Sequence, residues 1–268
     1  MLSTALNEPL PEGRLGGELF LVPQPKIIAA IPAYNEEKYI GEVVRRARKY
    51  VHQVVVIDDG STDRTAAVAE AAGAEIIRHE INRGKGCAVD TAFSMARHLK
   101  ADILILLDGD LQHNPDEIPL LLKTLKEKEA DMVVGSRFLK GNKIPKYRRL
   151  GQEVLNITTN FGSGIRLSDT QCGFRAFSRK AINSFTFTET GLAVESEMQF
   201  LAREKSLKVE EVPITTNYNN SIKRNPVAHG FGVLFRVLHL VHKKRPLLIY
   251  GPGVLVACII LLTILLSL

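Results

Sequence analysis

Short, fully apolar runs alternate with longer amphipathic stretches over the first half of the chain. The runs IIAAI, VVVI and ILILL have no polar face, which is typical of strands buried on both sides of a parallel sheet. The pattern predicts strands at residues 26–33, 54–57, 75–78, 103–107 and 132–135. It predicts helices between them at 36–50, 63–72, 84–99 and 115–128. This alternation favours an α/β fold, with a mostly parallel sheet and helices on both faces.

A second pattern, near the C-terminus, predicts a membrane anchor. Residues 247–268 carry no charged side chain over about 22 positions, roughly 33 Å as a helix, which matches the hydrocarbon core of a bilayer. We expect a transmembrane helix here, because a helix buried within a domain normally shows a polar face. The basic residues 242–245 should stay cytoplasmic, which predicts a single-pass membrane protein with its large domain in the cytoplasm. Either this helix ends at the far interface, or a further span follows it.

The segment 226–246 joins the large domain to the predicted anchor. Its apolar residues recur at helical spacing, and basic residues follow them. Two interpretations of this predicted helix are open. It is an amphipathic helix that lies in the headgroup region of the membrane, or it packs against the core of its own domain.

Composition and charge narrow the class of protein. With 268 residues and 45% hydrophobic content, the chain can bury the core of one large domain. Its net charge of +6 is uneven, because residues 137–149 contain six basic side chains and no acid, which indicates anionic partners. Residues 1–25 form an N-terminal extension with three glutamates and no long apolar run, so no signal peptide is predicted. The three cysteines are far apart, which favours a reducing compartment over a disulfide framework.

Two carboxylates, Asp108 and Asp110, follow the predicted strand 103–107 and are separated by one glycine. Carboxylates two residues apart share a face of a strand, and strand ends in α/β sheets open onto the crevice where ligands bind. Mg²⁺ and Mn²⁺ favour oxygen ligands and often take only one or two carboxylates, with phosphate oxygens and water completing the shell. Gln112 offers a third oxygen. The alternative is a solvated turn that follows a strand and binds nothing.

Three further loops fall at predicted strand ends on the same side. The first, residues 31–37, offers the aromatic ring of Tyr34 and the carboxylate of Glu36. The second, residues 57–63, offers Asp58 or Asp59 for ribose hydroxyls or a base N–H, although it could serve only to cap the next helix. In the third, residues 82–86, backbone N–H groups and Lys85 are expected to face phosphate at the start of a helix. The spacing of a Walker A loop is absent.

These loops together resemble glycosyltransferase family 2, the inverting transferases with a GT-A (Rossmann-like) fold. The matching motifs are PAYNE (32–36), DDGS (58–61), NRGKG (82–86) and DGD (108–110). Within that family, the motifs DGDLQH (108–113), GSR (135–137) and DTQCGF (169–174) resemble the dolichyl-phosphate or polyprenyl-phosphate mannose and glucose synthases. The resemblance covers about residues 26–225, which implies a GT-A catalytic domain followed by a C-terminal transmembrane helix.

The resemblance also implies a role for individual residues. The donor nucleotide-sugar is expected to contact Pro32, Tyr34, Glu36, Asp58, Asp59, Lys85, Asp108, Lys223 and Arg224. Mg²⁺ or Mn²⁺, with the donor diphosphate, is expected at Asp108, Asp110 and Gln112. The acceptor phosphate is expected to meet Arg137, Arg148, Arg149 and Arg175, since guanidinium groups pair bidentately with phosphate. Asp110, Arg137 and Asp169 are the expected catalytic residues. The first three arginines could instead form a solvated or lipid-facing surface, and Asp169 could only brace a loop arginine.

The implied activity is transfer of a hexose from GDP-mannose or a UDP-sugar to dolichyl or polyprenyl phosphate at the membrane, as used in protein glycosylation. A lipid monophosphate is already an anionic nucleophile near neutral pH, so a strong general base is unnecessary. The expected partners are therefore the nucleotide-sugar, the lipid phosphate and the membrane, and no nucleic acid. One alternative is a transferase whose acceptor is a sugar hydroxyl; a QxxRW motif would support it, and the chain has no tryptophan. The other is a non-catalytic, membrane-tethered nucleotide-binding module.

Overall fold

A seven-stranded sheet forms the centre of the computed structural model, which describes residues 12–15, 18–21, 24–139, 146–216, 226–246 and 250, with side chains for 24–139, 149–216, 232–246 and 250. Two short N-terminal strands, β1 (Glu12–Leu15) and β2 (Glu18–Leu21), form a separate antiparallel pair. The strands of the main sheet are β3 (Ile27–Ala33), β4 (Gln53–Asp58), β5 (Glu75–Arg78), β6 (Ile103–Leu106), β7 (Met132–Ser136), β8 (Arg175–Ser178) and β9 (Val209–Pro213).

The spatial order of the main sheet is β5-β4-β3-β6-β8-β7-β9. Strand β8 runs antiparallel to both of its neighbours, and the other adjacent pairs are parallel. The predicted mostly parallel sheet is confirmed. The reversal of strand order lies between β3 and β6, and in open α/β sheets such a point opens a crevice at the carboxyl ends of the strands.

Seven helices of the described residues lie between these strands in chain order, and an eighth follows the last strand. They are α1 (Ile40–Ala47), α2 (Thr65–Ala71), α3 (Lys85–His98), α4 (Ile118–Glu127), α5 (Lys146–Ser163), α6 (Arg179–Ser184), α7 (Val194–Glu204) and α8 (Pro226–Lys244). The first begins four residues later than predicted, because Glu36 O accepts from Tyr39 N and Ile40 N, both at 3.0 Å, in a turn that precedes the helix. The predicted helix 115–128 begins with a 3-10 turn, Pro115–Glu117.

Strand β3 is buried at every position, as its apolar run predicts. The strand tolerates Pro32 because its pairing with β6 ends before that residue. Ala33 O accepts from Asp59 N on the β4 side, and Ala30 O accepts from Leu107 N on the β6 side, so alternation turns Pro32 toward β6. Strand β6 pairs with β3 only as far as Ala30 and Leu106, so the N–H that proline lacks would have no partner there. The two strands diverge from this point.

Helix α8 packs on the domain with one of its faces. Val233, Val237 and Leu240 are buried in a cluster with Leu155 of α5 and Phe200 of α7. The interpretation that this helix packs against its own domain therefore holds for this face. A different face leaves Phe235 and Leu238 71% and 43% exposed, and the interfacial position of the helix stays a prediction.

Several predicted features lie outside the described residues. These are the loop residues 140–145, the side chain of Arg148, the loop with Lys223 and Arg224, and the anchor 247–268 apart from Tyr250. Among the helices that the structure describes, none combines the length and apolar character needed to cross a bilayer.

Candidate active site

The carboxylates of Asp108 and Asp110 lie at the crevice where β3 and β6 diverge. Strand β6 ends at Leu106, so both acids sit on a turn, and the expectation that strand alternation aligns them is not met. The turn is shaped by Leu111, whose φ of 57° is costly for a leucine, and by Gln112 N, which donates to Asp110 Oδ1 at 3.0 Å. A side chain at Gly109 would meet Ala33 and Glu36, which places this turn directly on the loop after β3.

Asp108 is approached from three sides. Lys85 Nζ lies 2.6 Å from Oδ1, and His113 Nδ1 lies 3.8 Å from Oδ2. A Cβ at Gly173 would lie 2.6 Å from Oδ2, so the turn at residues 170–174 can approach this closely only because position 173 has no side chain. Burial is the largest single effect and would raise the pKa of the Asp108 carboxyl, but Lys85, His113 and Arg137 together outweigh it and lower that pKa below the ordinary value.

Lys85 is the first residue of α3 and bridges two acids. Its Nζ lies 2.6 Å from Asp108 Oδ1 and 2.7 Å from Glu195 Oε1. Burial opposes its charge, yet the two carboxylates raise its pKa above the usual range, so this lysine is an ammonium at any physiological pH.

The surroundings of Asp110 suit a divalent cation. Burial and the neighbouring Asp108 charge raise the pKa of the Asp110 carboxyl, and the Glu36 charge adds to the effect. Crowded, desolvated carboxylates of this kind are stabilised by a cation. No cluster of three or more His, Cys, Asp or Glu side chains that could hold a metal occurs among the described residues. The protein thus offers two carboxylates, with Gln112 nearby in sequence. This donor set fits Mg²⁺ or Mn²⁺ completed by phosphate and water.

The structure separates the roles of the two adjacent acids at the end of β4. Asp59 accepts from His79 at 2.7 Å, from Arg83 N at 2.9 Å and from Gly84 N at 2.8 Å, and so fixes the following loop. Asp58 accepts only one hydrogen bond from the described residues, from Ser61 N, and its Oδ2 lies 3.3 Å from Arg78 Nε. Both side chains are buried, but Asp58 keeps one oxygen without a hydrogen bond from the described residues, so of the two predicted candidates for the nucleoside the geometry favours Asp58.

The other residues predicted to contact the donor differ in how exposed they are. Tyr34 is 37% exposed at the mouth of the crevice, which leaves its ring available for stacking on a base. Glu36 lies beside the Asp108–Asp110 turn. Pro32 is buried within β3, so any effect on the donor is exerted through the shape of the strand end.

The glycine-rich loop at 82–86 does not present its backbone to phosphate as expected. Gly84 N donates to Asp59 and Gly86 N donates to Thr190 O at 3.0 Å. A Cβ at either glycine would overlap the carbonyl oxygen of Thr190 or Glu189. The glycines are required for this close backbone approach, and the group that faces the crevice is the side chain of Lys85.

Arg137 and Asp169 form a buried pair. The Arg137 charge also helps to lower the pKa of Asp108, after the larger effects of Lys85 and His113, so Arg137 lies within electrostatic reach of the Asp108–Asp110 turn. Burial alone would raise the pKa of Asp169, but Arg137 outweighs it and the pKa is lowered. Glu211 in turn accepts from Ser168 N and Asp169 N, which fixes this segment. The alternative in which Asp169 braces a loop arginine fits this geometry.

The four arginines predicted for the acceptor occupy different environments. Arg175 is 0% exposed and donates to Cys172 O at 2.8 Å, Thr170 O at 2.8 Å and Glu195 O at 3.0 Å. Its burial argues against a contact with acceptor phosphate, and it braces the turn at 170–174. Arg149 is exposed at the start of α5, and the side chain of Arg148 lies outside the described residues.

The loop with Lys223 and Arg224 also lies outside the described residues, but Thr215 and Thr216, which precede it in the chain, are described. Thr216 pairs with His113 in an isolated bridge, and Thr215 N donates to Glu117 at 2.9 Å. Thr216 therefore pairs with a residue, His113, that follows Asp110 by three positions in the sequence.

Sequence reasoning missed three residues of the site. They are Glu195, which contacts Lys85; His113, which lies near Asp108; and Glu211, which holds Asp169. The signal for Glu195 was slight. It is one of two acids in the first turn of α7, where acidic residues commonly stabilise the helix N-terminus without any further role.

Comparisons with known proteins support the family resemblance seen in the sequence. The family model "Glycosyl transferase family 2" matches residues 28–185. A UDP-N-acetylglucosamine–dolichyl-phosphate N-acetylglucosaminyltransferase of Methanococcus voltae is 32% identical, over 80% of this chain and 95% of the relative. A dolichol-phosphate mannosyltransferase of Pyrococcus furiosus is 30% identical, over 71% of this chain and 56% of the relative. A crystal structure of glucosyl-3-phosphoglycerate synthase from Mycobacterium tuberculosis with Mg²⁺ and UDP has a TM-score of 0.66 at 22% identity, covering 82% of this chain and 79% of that one. The expected α/β fold is confirmed.

Proposed function

The chain belongs to glycosyl transferase family 2, and from this membership we propose that it transfers a sugar from a nucleotide-sugar to dolichyl or polyprenyl phosphate. The two named relatives act on different sugars, N-acetylglucosamine and mannose, but both carry a dolichyl or dolichol phosphate acceptor in their names. The acceptor class is thus better supported than the sugar, and GDP-mannose and UDP-sugars remain candidate donors. The observation that carries the proposal is the pair Asp108 and Asp110 beside Lys85 at the switch point of the sheet.

The donor half of the site follows from this geometry. Asp108 and Asp110, with Gln112, would hold Mg²⁺ or Mn²⁺, which when bound neutralises the departing nucleoside diphosphate. Tyr34 offers an aromatic face to the base, and Asp58 has an oxygen for ribose or base hydrogen bonds. Lys85 brings a positive charge to this part of the crevice, 2.6 Å from Asp108 Oδ1.

The acceptor half depends on Arg137. Asp169 fixes its guanidinium, so the side chain loses little further freedom when it meets a phosphate. The acceptor phosphate is itself the nucleophile, and the protein has to align it for in-line attack with inversion. A sugar-hydroxyl acceptor would require a carboxylate base with a pKa near neutrality. Both carboxylate oxygens of Asp169 accept from Arg137, so Asp169 is not placed to act as that base, which favours the phosphate acceptor.

The membrane side of the proposal comes from α5 and α8, which pack together. Helix α5 exposes a stripe at helical spacing: Leu150, Val154, Ile157 and Phe161. Helix α8 exposes Phe235 and Leu238 and ends in basic residues. Such a surface suits the headgroup region of a bilayer. With the apolar segment 247–268 as a single membrane anchor, the domain would work at the cytoplasmic face, with the acceptor tail in lipid and its phosphate at Arg137.

The test is a sugar-transfer assay with a panel of radiolabelled nucleotide-sugars and with dolichyl or polyprenyl phosphate in detergent. Wild type is compared with Asp110→Asn, with and without EDTA. Label that enters a lipid product only with metal and only with Asp110 supports the proposal and identifies the donor. Metal-dependent hydrolysis of a donor without any labelled lipid would retain the donor site and refute the acceptor.

A further inference from the structure

One acid of the crevice has no part in the proposed function as stated. Glu195 is buried, and its Oε1 lies 2.7 Å from the same Lys85 Nζ that lies 2.6 Å from Asp108 Oδ1. A buried carboxylate is costly unless paired, and Lys85 is the partner that the structure gives it.

Glu195 and Asp108 belong to segments that Arg175 joins. The backbone carbonyl of Glu195 accepts from Arg175 Nη1 at 3.0 Å, and the same guanidinium donates to Thr170 O and Cys172 O, both at 2.8 Å. The turn that contains these carbonyls contacts Asp108 through Gly173. The two carboxylates that hold Lys85 are therefore fixed relative to each other.

A divalent cation and Lys85 compete for Asp108. Carboxylate oxygens bind Mg²⁺ or Mn²⁺ at about 2.1 Å, and Lys85 Nζ is already 2.6 Å from Asp108 Oδ1. Two positive charges this close repel, so the ammonium has to withdraw when the cation binds. Glu195 offers it a second carboxylate within reach without a change of rotamer at α7.

We propose that Glu195 is a positioning residue that takes over Lys85 when a divalent cation occupies Asp108, and so keeps the ammonium at the edge of the metal site, facing the donor diphosphate. This inference rests on the metal and donor parts of the proposed function. Without Glu195, the lysine has only Asp108 and competes with the cation. Without Lys85, Glu195 loses its influence on the cation.

The experiment measures Mn²⁺ binding to the full chain in detergent, with no donor or acceptor, by the electron paramagnetic resonance signal of free Mn²⁺. The variants are Glu195→Gln, Lys85→Gln and the double variant. We expect Glu195→Gln to weaken Mn²⁺ binding about tenfold and Lys85→Gln to strengthen it. In the Lys85→Gln background, the further change Glu195→Gln should have little effect, because its influence passes through the lysine.

Two control variants separate the positioning role of Glu195 from loss of the metal site itself and from the general effect of removing a buried acid of α7. Asp110→Asn should abolish Mn²⁺ binding. Glu197→Gln alters a buried acid of the same helix that accepts from Thr188 and Glu189 and does not contact Lys85, so it should leave Mn²⁺ affinity unchanged even if the melting temperature falls.

An equal effect of Glu195→Gln with and without Lys85 would overturn the inference, since it would make Glu195 a ligand or a through-space charge. No effect of Glu195→Gln, with binding lost in Asp110→Asn, would also overturn it and leave the metal site intact. If the coupling is found but no lipid-linked sugar forms in the transfer assay, the inference stands and the proposed acceptor is refuted.

Discussion

Arg137 and Asp169 form a bidentate ion pair, with Arg137 Nε 2.6 Å from Asp169 Oδ2 and Nη2 2.7 Å from Oδ1. Arg137 N also donates to Oδ2 at 3.1 Å, so the carboxylate ties both backbone and side chain of the arginine to the segment after α5. Removing one partner of a buried pair leaves an uncompensated charge, whereas replacing both by apolar groups is often tolerated. This asymmetry allows stability and activity to be separated by mutation.

Asp169→Asn is expected to lower both the stability and the transfer activity of the protein. The neutral amide leaves Arg137 without its counter-charge, and the expected loss is about 3 kcal/mol in the free energy of unfolding. The measurement is thermal or denaturant unfolding, alongside sugar transfer. The control is the double variant Arg137→Met with Asp169→Leu, which should regain most of the stability while remaining inactive. If the double variant regained activity as well, the pair would have no part in acceptor binding.

The strands and helices from residue 26 to residue 136 could be predicted because each is marked by its own local pattern, whereas the short strands β1 and β2 of the N-terminal extension were not predicted. The apolar runs of β3, β4 and β6 cover single elements, and the amphipathic stretches between them define α1 to α4. Strand β8 carries no such signal. It is four residues long, begins with Arg175, and is inserted antiparallel between β6 and β7, which is a long-range pairing.

The candidate site was predictable where a motif places several polar groups in one loop, as in the Asp108–Asp110 turn. It was not predictable where a contact joins distant segments. Nothing local indicates that Glu195 meets Lys85, or that Arg175, a charged residue, would be fully buried on backbone carbonyls. Adjacent acids such as Asp58 and Asp59 could not be separated either, since their roles depend on the neighbouring loop.

Gly173→Ala tests the contact between the turn at 170–174 and the carboxylate of Asp108. The added Cβ would lie 2.6 Å from Asp108 Oδ2, so one of the two segments has to shift. A displacement of a catalytic group by less than 1 Å is enough for about a tenfold loss of rate, and we expect at least this loss together with weaker Mn²⁺ binding.

The matched control for this change is Gly151→Ala, at an exposed position of α5 where a Cβ meets nothing within 4 Å. It should keep full activity and be slightly more stable, because alanine favours the helix. Equal activity of the two variants would show that the approach of residue 173 to Asp108 has no functional role.

If the exposed apolar residues of α5 and α8 contact the membrane, changing them should slow sugar transfer to an acceptor in vesicles more than transfer to an acceptor in detergent. Changing Ile157 and Phe235 together to serine should reduce transfer to a long-chain polyprenyl phosphate in vesicles several-fold. Transfer to a short-chain acceptor in detergent should change little, because neither residue belongs to the crevice. The readout is the ratio of the two rates.

The control for membrane contact is Ile81→Ser, which removes an equally exposed apolar residue outside these helices. Its ratio should equal that of wild type. If the serine variant of α5 and α8 also keeps the wild-type ratio, the proposed membrane-facing surface is refuted.

The pH dependence of metal binding follows from the raised pKa of Asp110. Burial is the largest cause, followed by the charge of Asp108, with a contribution from Glu36. A cation needs the ionised carboxylate, so Mn²⁺ affinity of the free protein should fall as pH drops through a pKa above the ordinary aspartate value of about 3.9. Glu36→Gln removes one of the charges that raise this pKa, and it should move the fall in affinity to lower pH. The measurement is a Mn²⁺ titration at a series of pH values without nucleotide. A shift to higher pH, or none, would contradict the assignment of the titrating group to Asp110, since only a carboxyl near Glu36 responds in the predicted direction.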